Sequence, residues 1–236
     1  MSVGSLPRVL EIGCYIAGPL LGQHLRTMGC HVTSIRRPPE SRGYAREMRR
    51  MGCIRDKLAR GKTIVTLNLP QDDERLCTLL RDADVIITNF GPGVAARRGF
   101  DVARCRRINP RAIYVALPGF ATGDDDLGRL IAWDSVIMAC SGVFCDMGLN
   151  RRLMGVEASF SSLPLGSVYA SVFGCFAVWH AVYARRWGEY IEVPLASTLC
   201  EALVHNSLEF PMAECYMSAR ARAVAEGQTG LSREDL

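Results

Sequence analysis

Residues 8–37 read RVLEIGCYIAGPLLGQHLRTMGCHVTSIRR. Arg8–Gly13 is a short β-like run, Ala17–Met28 carries apolar residues at helical spacing, Gly29 stops that helix, and His31–Arg37 is a second β-like run. A strand, a helix and a strand in that order form the repeating unit of a parallel sheet. The pattern continues with β-like runs at Thr63–Leu69, Asp84–Phe90 and Ala112–Leu117. Pro70-Gln71-Asp72-Asp73-Glu74 opens another helix, with acids in its first turn and Leu76, Leu79 and Leu80 on one face. Strands alternating with helices predict an α/β fold, a Rossmann-like parallel sheet with flanking helices.

The second half reads as long buried helices. Leu163–Ala184, LPLGSVYASVFGCFAVWHAVYA, has no charged residue and is long enough to span a bilayer. Gly166, Ala170 and Gly174 recur every four residues, however, giving one smooth face for close helix packing, and a histidine and several serines interrupt the run. A core helix of a globular domain is therefore favoured over a membrane span. Residues 1–210 read as one large domain, and 211–236 as a polar tail or partner-docking segment.

Composition narrows the classes further. Of the 28 basic residues only Lys57 and Lys62 are lysine. Arginine favours planar contacts with phosphate and carboxylate, so the bias admits phosphorylated ligands or RNA as well as a neutral origin in codon usage. Arg46, Arg49, Arg50, Arg55, Lys57 and Arg60 form a basic stretch that meets RNA phosphates or lies as a solvated loop. The 10 cysteines are scattered without a C-x-x-C pair, which points to an intracellular reducing compartment and away from a zinc site or a disulfide framework. No metal is expected. The opening residues lack a signal-peptide core, and mitochondrial residence is the favoured location.

In an open parallel sheet, ligands sit beyond the carboxyl ends of the strands. Here those ends carry Cys14-Tyr15-Ile16-Ala17-Gly18-Pro19, then Arg36-Arg37, then Asn89-Phe90-Gly91-Pro92-Gly93 followed by Arg97. Arginines and a helix start around one crevice suit a nucleotide bearing phosphates. No Walker loop and no G-x-G-x-x-G follows the first strand, which disfavours an ordinary ATP or NAD site.

Taken in order, LPRVLEIGCYIAGPLLGQHLRTMGCHVTSIRRP, ARGKTIVTLNL, ADVIITNFGPGVAARRGF, INPRAIYVALPGF, SGV and RRWGEYIEVPLASTLCEAL resemble the family III CoA-transferases. That group includes formyl-CoA and carnitine CoA-transferases and α-methylacyl-CoA racemases. The resemblance implies coenzyme A as ligand, with Ile16, Ala17, Arg37, Asn89, Phe90 and Arg97 around its adenine and phosphates. Ile16 stands where the formyl-CoA branch carries a glutamine, making the inner pocket more apolar.

The family's chemistry needs an aspartate nucleophile that forms a mixed anhydride with the acyl group. The matching step here is Leu165-Gly166-Ser167, so a serine stands at that position with no His, Asp or Glu close in sequence. The racemase branch needs a histidine as well, and Trp133 occupies its place, followed by Asp134. Family members also continue into a small domain carrying a glycine-rich lid and form interlocked dimers. With the chain ending at Leu236, the small C-terminal domain of the family is expected to be absent.

Three readings follow. The first is a catalytically inactive subunit of a larger assembly, with other protein subunits as partners and RNA admitted through the arginine-rich surface, as in a mitochondrial ribosome of an unusual lineage. The second is a CoA-transferase completed by a partner chain, and the third a CoA-binding module without chemistry.

Overall fold

The computed structural model describes residues 6–41, 44–128, 130, 132–144 and 160–202. The segment 211–236 lies outside these residues, as do Cys145 and the side chains of Arg46, Arg49 and Arg50.

The strands are β1 (Arg8–Ile12), β2 (His31–Arg36), β3 (Thr63–Thr66), β4 (Val85–Thr88), β5 (Ile113–Ala116) and β6 (Tyr190–Glu192). They form one six-stranded sheet in the order β3-β2-β1-β4-β5-β6, and every pair is parallel. The chain builds outward from β1 to β3, then returns to the other side of β1 with β4. The switch point therefore lies between β1 and β4, where a crevice must open above the carboxyl ends.

The helices are α1 (Ala17–Thr27), α2 (Tyr44–Ala59), α3 (Asp73–Asp82), α4 (Pro92–Arg98), α5 (Val102–Ile108), α6 (Asp134–Cys140), α7 (Leu165–Tyr183) and α8 (Leu195–Ala202). Strand alternation sorts the core into two layers. Val9, Val32, Val85 and Ile87 face α1, α6, α7 and α8 through Leu21, Met138 and Val178. Leu10, Ile12, Ile35 and Ile86 face α3 to α5 through Leu76, Leu80 and Phe100. Burial on both faces explains why β4 reads as an unbroken apolar run.

Gly29 ends α1 as its sequence implies. It adopts φ 96°, and the Met28, Gly29 and Cys30 N–H groups donate back to His24, Arg26 and Leu25 carbonyls. The small-residue face of α7 is also where it was expected: Gly166, Ala170 and Gly174 are buried. A Cβ on Gly174 would stand 3.0 Å from the Leu21 side chain, so glycine lets α7 lie close against α1.

The opposite face of α7 is different. Tyr169, Val172, Phe173, Phe176 and Tyr183 are exposed, Phe176 by 74% and Tyr183 by 87%. These positions recur at helical spacing, so they make one continuous apolar stripe. By length and hydropathy α7 is the one described helix capable of crossing a membrane. The basic stretch, read as an RNA contact or a solvated loop, falls in the helix α2 up to Lys57, with Arg60 just beyond its end and Met51 buried beneath it.

Candidate functional site

A crevice of about 250 Å³ opens above the carboxyl ends of β1, β2 and β4. Arg36, Arg37, Arg55 and Arg98 line it, together with Tyr15 and Phe90. Arg36 and Arg37 come from the end of β2, Arg55 from α2 and Arg98 from the last turn of α4. The Arg98 guanidinium lies 5.3 Å from the centre of the Phe90 ring, and Arg55 lies 5.1 Å from that of Tyr44. Cationic groups on aromatic faces are held in place without losing their charge. Clustered guanidinium groups beside apolar rings suit a ligand with several phosphates and a planar base.

Asn89, at the end of the apolar β4 run, acts on the neighbouring loop. Its Oδ1 accepts from the Cys14 N–H at 2.9 Å, and its Nδ2 donates to the Cys14 carbonyl at 2.7 Å. One side chain thus satisfies both backbone groups of Cys14, 75 residues away. The surrounding turn is tight: a Cβ on Gly13 or Gly18 would stand 3.1 or 3.0 Å from Asn89 Oδ1. Asn89 positions the β1–α1 turn. Cys14 and Tyr15 reach the crevice wall, Ile16 is the residue before α1, and Ala17 is buried in its first turn.

Arg97 points elsewhere. With Asn89, Phe120, Asp124 and Leu130 it lines a second hollow, of about 660 Å³. Arg98, its neighbour, takes the place beside Phe90 at the crevice.

Beneath the crevice, the register that sets Glu11 opposite Ser34 gives a bond from Ser34 Oγ to Glu11 Oε1 at 2.7 Å. Lys62 Nζ donates to Glu11 Oε2 at 2.5 Å and to the Pro19 carbonyl at 2.7 Å. Both side chains are buried, at 1% and 2% exposure. Burial lowers the Lys62 pKa, against the opposing pull of Glu11. The Gly61-Lys62 step before β3 and the Ala17-Gly18-Pro19 turn after β1 are therefore two ends of one interaction. Nearby His24 stands 3.4 Å from Ser171 Oγ; its pKa is lowered by burial and by the Lys62 charge.

The fold brings a carboxylate to Ser167. Asp134 opens α6 and Ser167 lies in the first turn of α7. The Ser167 hydroxyl donates to Asp134 Oδ2 at 2.7 Å, and its N–H donates to Oδ1 at 2.7 Å. Trp133, the residue before α6, meets Tyr15 edge to face with ring centres 4.9 Å apart. Contacts therefore run from the crevice through Tyr15 and Trp133 to Asp134 and Ser167. Among the described residues, no group of three or more His, Cys, Asp or Glu side chains is placed to hold a metal.

The sequence presents Tyr15 and Arg36 as parts of ligand-facing strand ends and Arg55 as part of the basic stretch, but assigns none of these, nor Arg98, to the CoA site. The Arg36-Arg37 pair gave a signal for Arg36, and the left-handed backbone of Tyr15 (φ 57°) has none in the sequence.

Comparison with known proteins identifies the family and the fold. The sequence profile described as CoA-transferase family III matches residues 7–228. The chain is 35% identical over 205 residues to the CoA-transferase/lyase DddD of Marinomonas sp., covering 85% of this chain and 24% of that protein. It is 29% identical over 206 residues to the acetyl-CoA:oxalate CoA-transferase of Acetobacter aceti, covering 84% of this chain and 52% of the relative. The chain thus spans about half the length of one relative and about a quarter of the other. Among solved structures, a CAIB/BAIF family protein from Brucella suis matches with TM-score 0.72 at 19% identity, over 95% of this chain and 58% of the other. The hypothetical protein Rv3272 from Mycobacterium tuberculosis matches with TM-score 0.70 at 24% identity, over 85% of this chain and 57% of the other. These two likenesses concern the fold.

Proposed function

Because the chain belongs to CoA-transferase family III, we propose that it binds a CoA thioester in the crevice at the β1–β4 switch, with the nucleotide end against Arg36, Arg37, Arg55 and Arg98. The observation that carries this reading is the convergence of those four side chains on one crevice beyond the strand ends. The thioester end is directed past Tyr15 and Trp133 toward Asp134 and Ser167.

The reaction of this family needs a carboxylate free to attack the acyl carbon. Ser167 stands at the matching position, and both oxygens of Asp134 accept hydrogen bonds from it. A carboxylate engaged in this way is a weaker nucleophile, because each oxygen already shares electron density with a donor, although it keeps further lone pairs. In this reading the chain by itself holds the thioester without transferring the acyl group. Calorimetry with CoA tests binding, and exchange of labelled CoA between acyl donor and carboxylic acid tests transfer. Binding without exchange supports the reading. Exchange by the purified chain removes its second half.

The stripe on α7 favours a complementary role as one part of an assembly. Exposed apolar surface of this extent in a soluble protein marks a contact. The occupant is the portion of the fold that the longer relatives carry and this chain does not span, on the same polypeptide or on a second one. Replacing Phe176 with glutamate should leave the domain folded and abolish its association with that portion when the portion is supplied as a separate chain. Retained association would contradict this role.

A further inference from the structure

From the crevice wall Tyr15 reaches across to Trp133, which is 37% exposed, and the backbone of Tyr15 is unusual. Tyr15 has φ 57°, the left-handed region that a bulky side chain rarely enters without being forced. What forces it is the residue before: both backbone groups of Cys14 are bonded to Asn89. The turn aims the Tyr15 ring edge-on at the Trp133 indole, with centres 4.9 Å apart and planes at 79°, a preferred aromatic geometry. Trp133 is extended (φ −83°, ψ 151°) immediately before α6. Its ring therefore leaves the helix start while Asp134, the next residue, turns to Ser167.

In the CoA reading of the crevice, the pair flanks the route of the thioester. Tyr15 belongs to the crevice wall, and Ala132, the neighbour of Trp133, lines the second hollow. In that reading, the route of an acyl group from the crevice wall to Asp134 and Ser167 runs along the Tyr15–Trp133 contact. To make room for a branched acyl group, Tyr15 would have to rotate a backbone that Asn89 has locked, or Trp133 would have to abandon its partner.

We propose that Tyr15 and Trp133 form an acyl-selecting wall, so that the site takes CoA thioesters of small unbranched acids and rejects those branched at the α-carbon. This inference rests on the CoA reading of the crevice and names the substrate class within it. Steric discrimination by a packed apolar wall is of order 10–200-fold for a change of one carbon. The wall acts by exclusion, so it shows in the ratio of acyl-CoA to CoA affinities, whatever a variant does to the affinity for CoA itself.

The test is calorimetry on the purified full chain with CoA, acetyl-CoA and isobutyryl-CoA, reading the ratio of dissociation constants. Acetyl-CoA should bind within about 3-fold of CoA, and isobutyryl-CoA at least about 10-fold more weakly. In Trp133→Ala the isobutyryl-CoA to CoA ratio should fall to within about 3-fold. Tyr15→Gly, which accepts the same backbone angle without strain, should lower that ratio in the same direction. Circular dichroism and thermal melting confirm that each variant is folded, and either variant alone suffices if the other is not. If wild-type protein binds isobutyryl-CoA as well as CoA, or if a folded variant keeps the full discrimination, the wall is refuted while the crevice reading stands. If wild-type protein binds none of the three ligands, the crevice reading fails and the wall falls with it.

Discussion

Ser167 bonds Asp134 twice, by its hydroxyl to Oδ2 and by its backbone N–H to Oδ1, each at 2.7 Å. The pair ties the first turn of α7 to the start of α6, and it places an acidic group at two helix N-termini, where the macrodipole favours negative charge. Ser167→Ala removes one bond and keeps the other, so it should cost about 1 kcal/mol. Asp134→Ala removes both and should cost about 2–3 kcal/mol. Urea unfolding measures the two. Equal losses would mean that the carboxylate does nothing beyond the hydroxyl contact.

The buried ion pair of Lys62 and Glu11 behaves differently from a surface one. Lys62→Met leaves Glu11 charged and enclosed, with Ser34 as its side-chain donor among the described residues. The expected loss is about 3–5 kcal/mol. Replacing both, Glu11→Leu with Lys62→Met, should recover much of that loss, because no buried charge remains. Denaturant midpoints of the single and double variants decide it; a single variant within about 1 kcal/mol of wild type would contradict the account.

His24 makes stability depend on pH in a definite direction. Its folded pKa lies below the ordinary value of 6.5, through burial first and the Lys62 charge second. The unfolded chain therefore binds the proton more readily. The contribution of neutral His24 is complete above about pH 6.5 and is lost as pH falls below that toward the folded value. Wild type should lose more stability between pH 7.5 and pH 5.5 than His24→Gln, which cannot take up the proton. Thermal melts at the two pH values, with identical slopes for both proteins as the contradicting result, make the comparison.

Asn89 is predicted to matter for binding although it only touches the loop. Asn89→Ala removes both Asn89 hydrogen bonds to the backbone of Cys14 in a partly buried turn, at a cost of about 2–3 kcal/mol. It also releases Tyr15, so CoA affinity should fall with stability. Asn89→Asp keeps an acceptor for the Cys14 N–H but loses the donor to its carbonyl, and should fall between wild type and alanine. If melting temperature drops while CoA binds unchanged, the loop does not shape the crevice.

Much of this arrangement is local and therefore readable in sequence. The β–α–β pattern of residues 8–36, the stop at Gly29 and the small-residue face of α7 each follow from spacing within one element. What escapes is what the fold adds. β6 is three residues long, too short to show alternation, and exists because β5 offers it a backbone edge. Asp134 and Ser167 are 33 residues apart, so no local reading could pair them. Arg97 and Arg98 are adjacent in α4, yet one residue of helix rotates a side chain by about 100°, enough to send them to different spaces. The Gly61-Lys62 step was visible as part of a resemblance; its purpose became clear only when Lys62 met Glu11 and the Pro19 carbonyl.

The most direct test of the central claim is the affinity of the purified chain for CoA, compared with Arg37→Ala and Arg98→Ala. The account predicts that wild-type protein binds CoA, that each substitution weakens binding at least about 10-fold, in keeping with loss of a charge-assisted phosphate contact of roughly 1.5–3 kcal/mol, and that added salt weakens it further. Wild-type protein that does not bind CoA, or binds it equally well without these arginines, would contradict it.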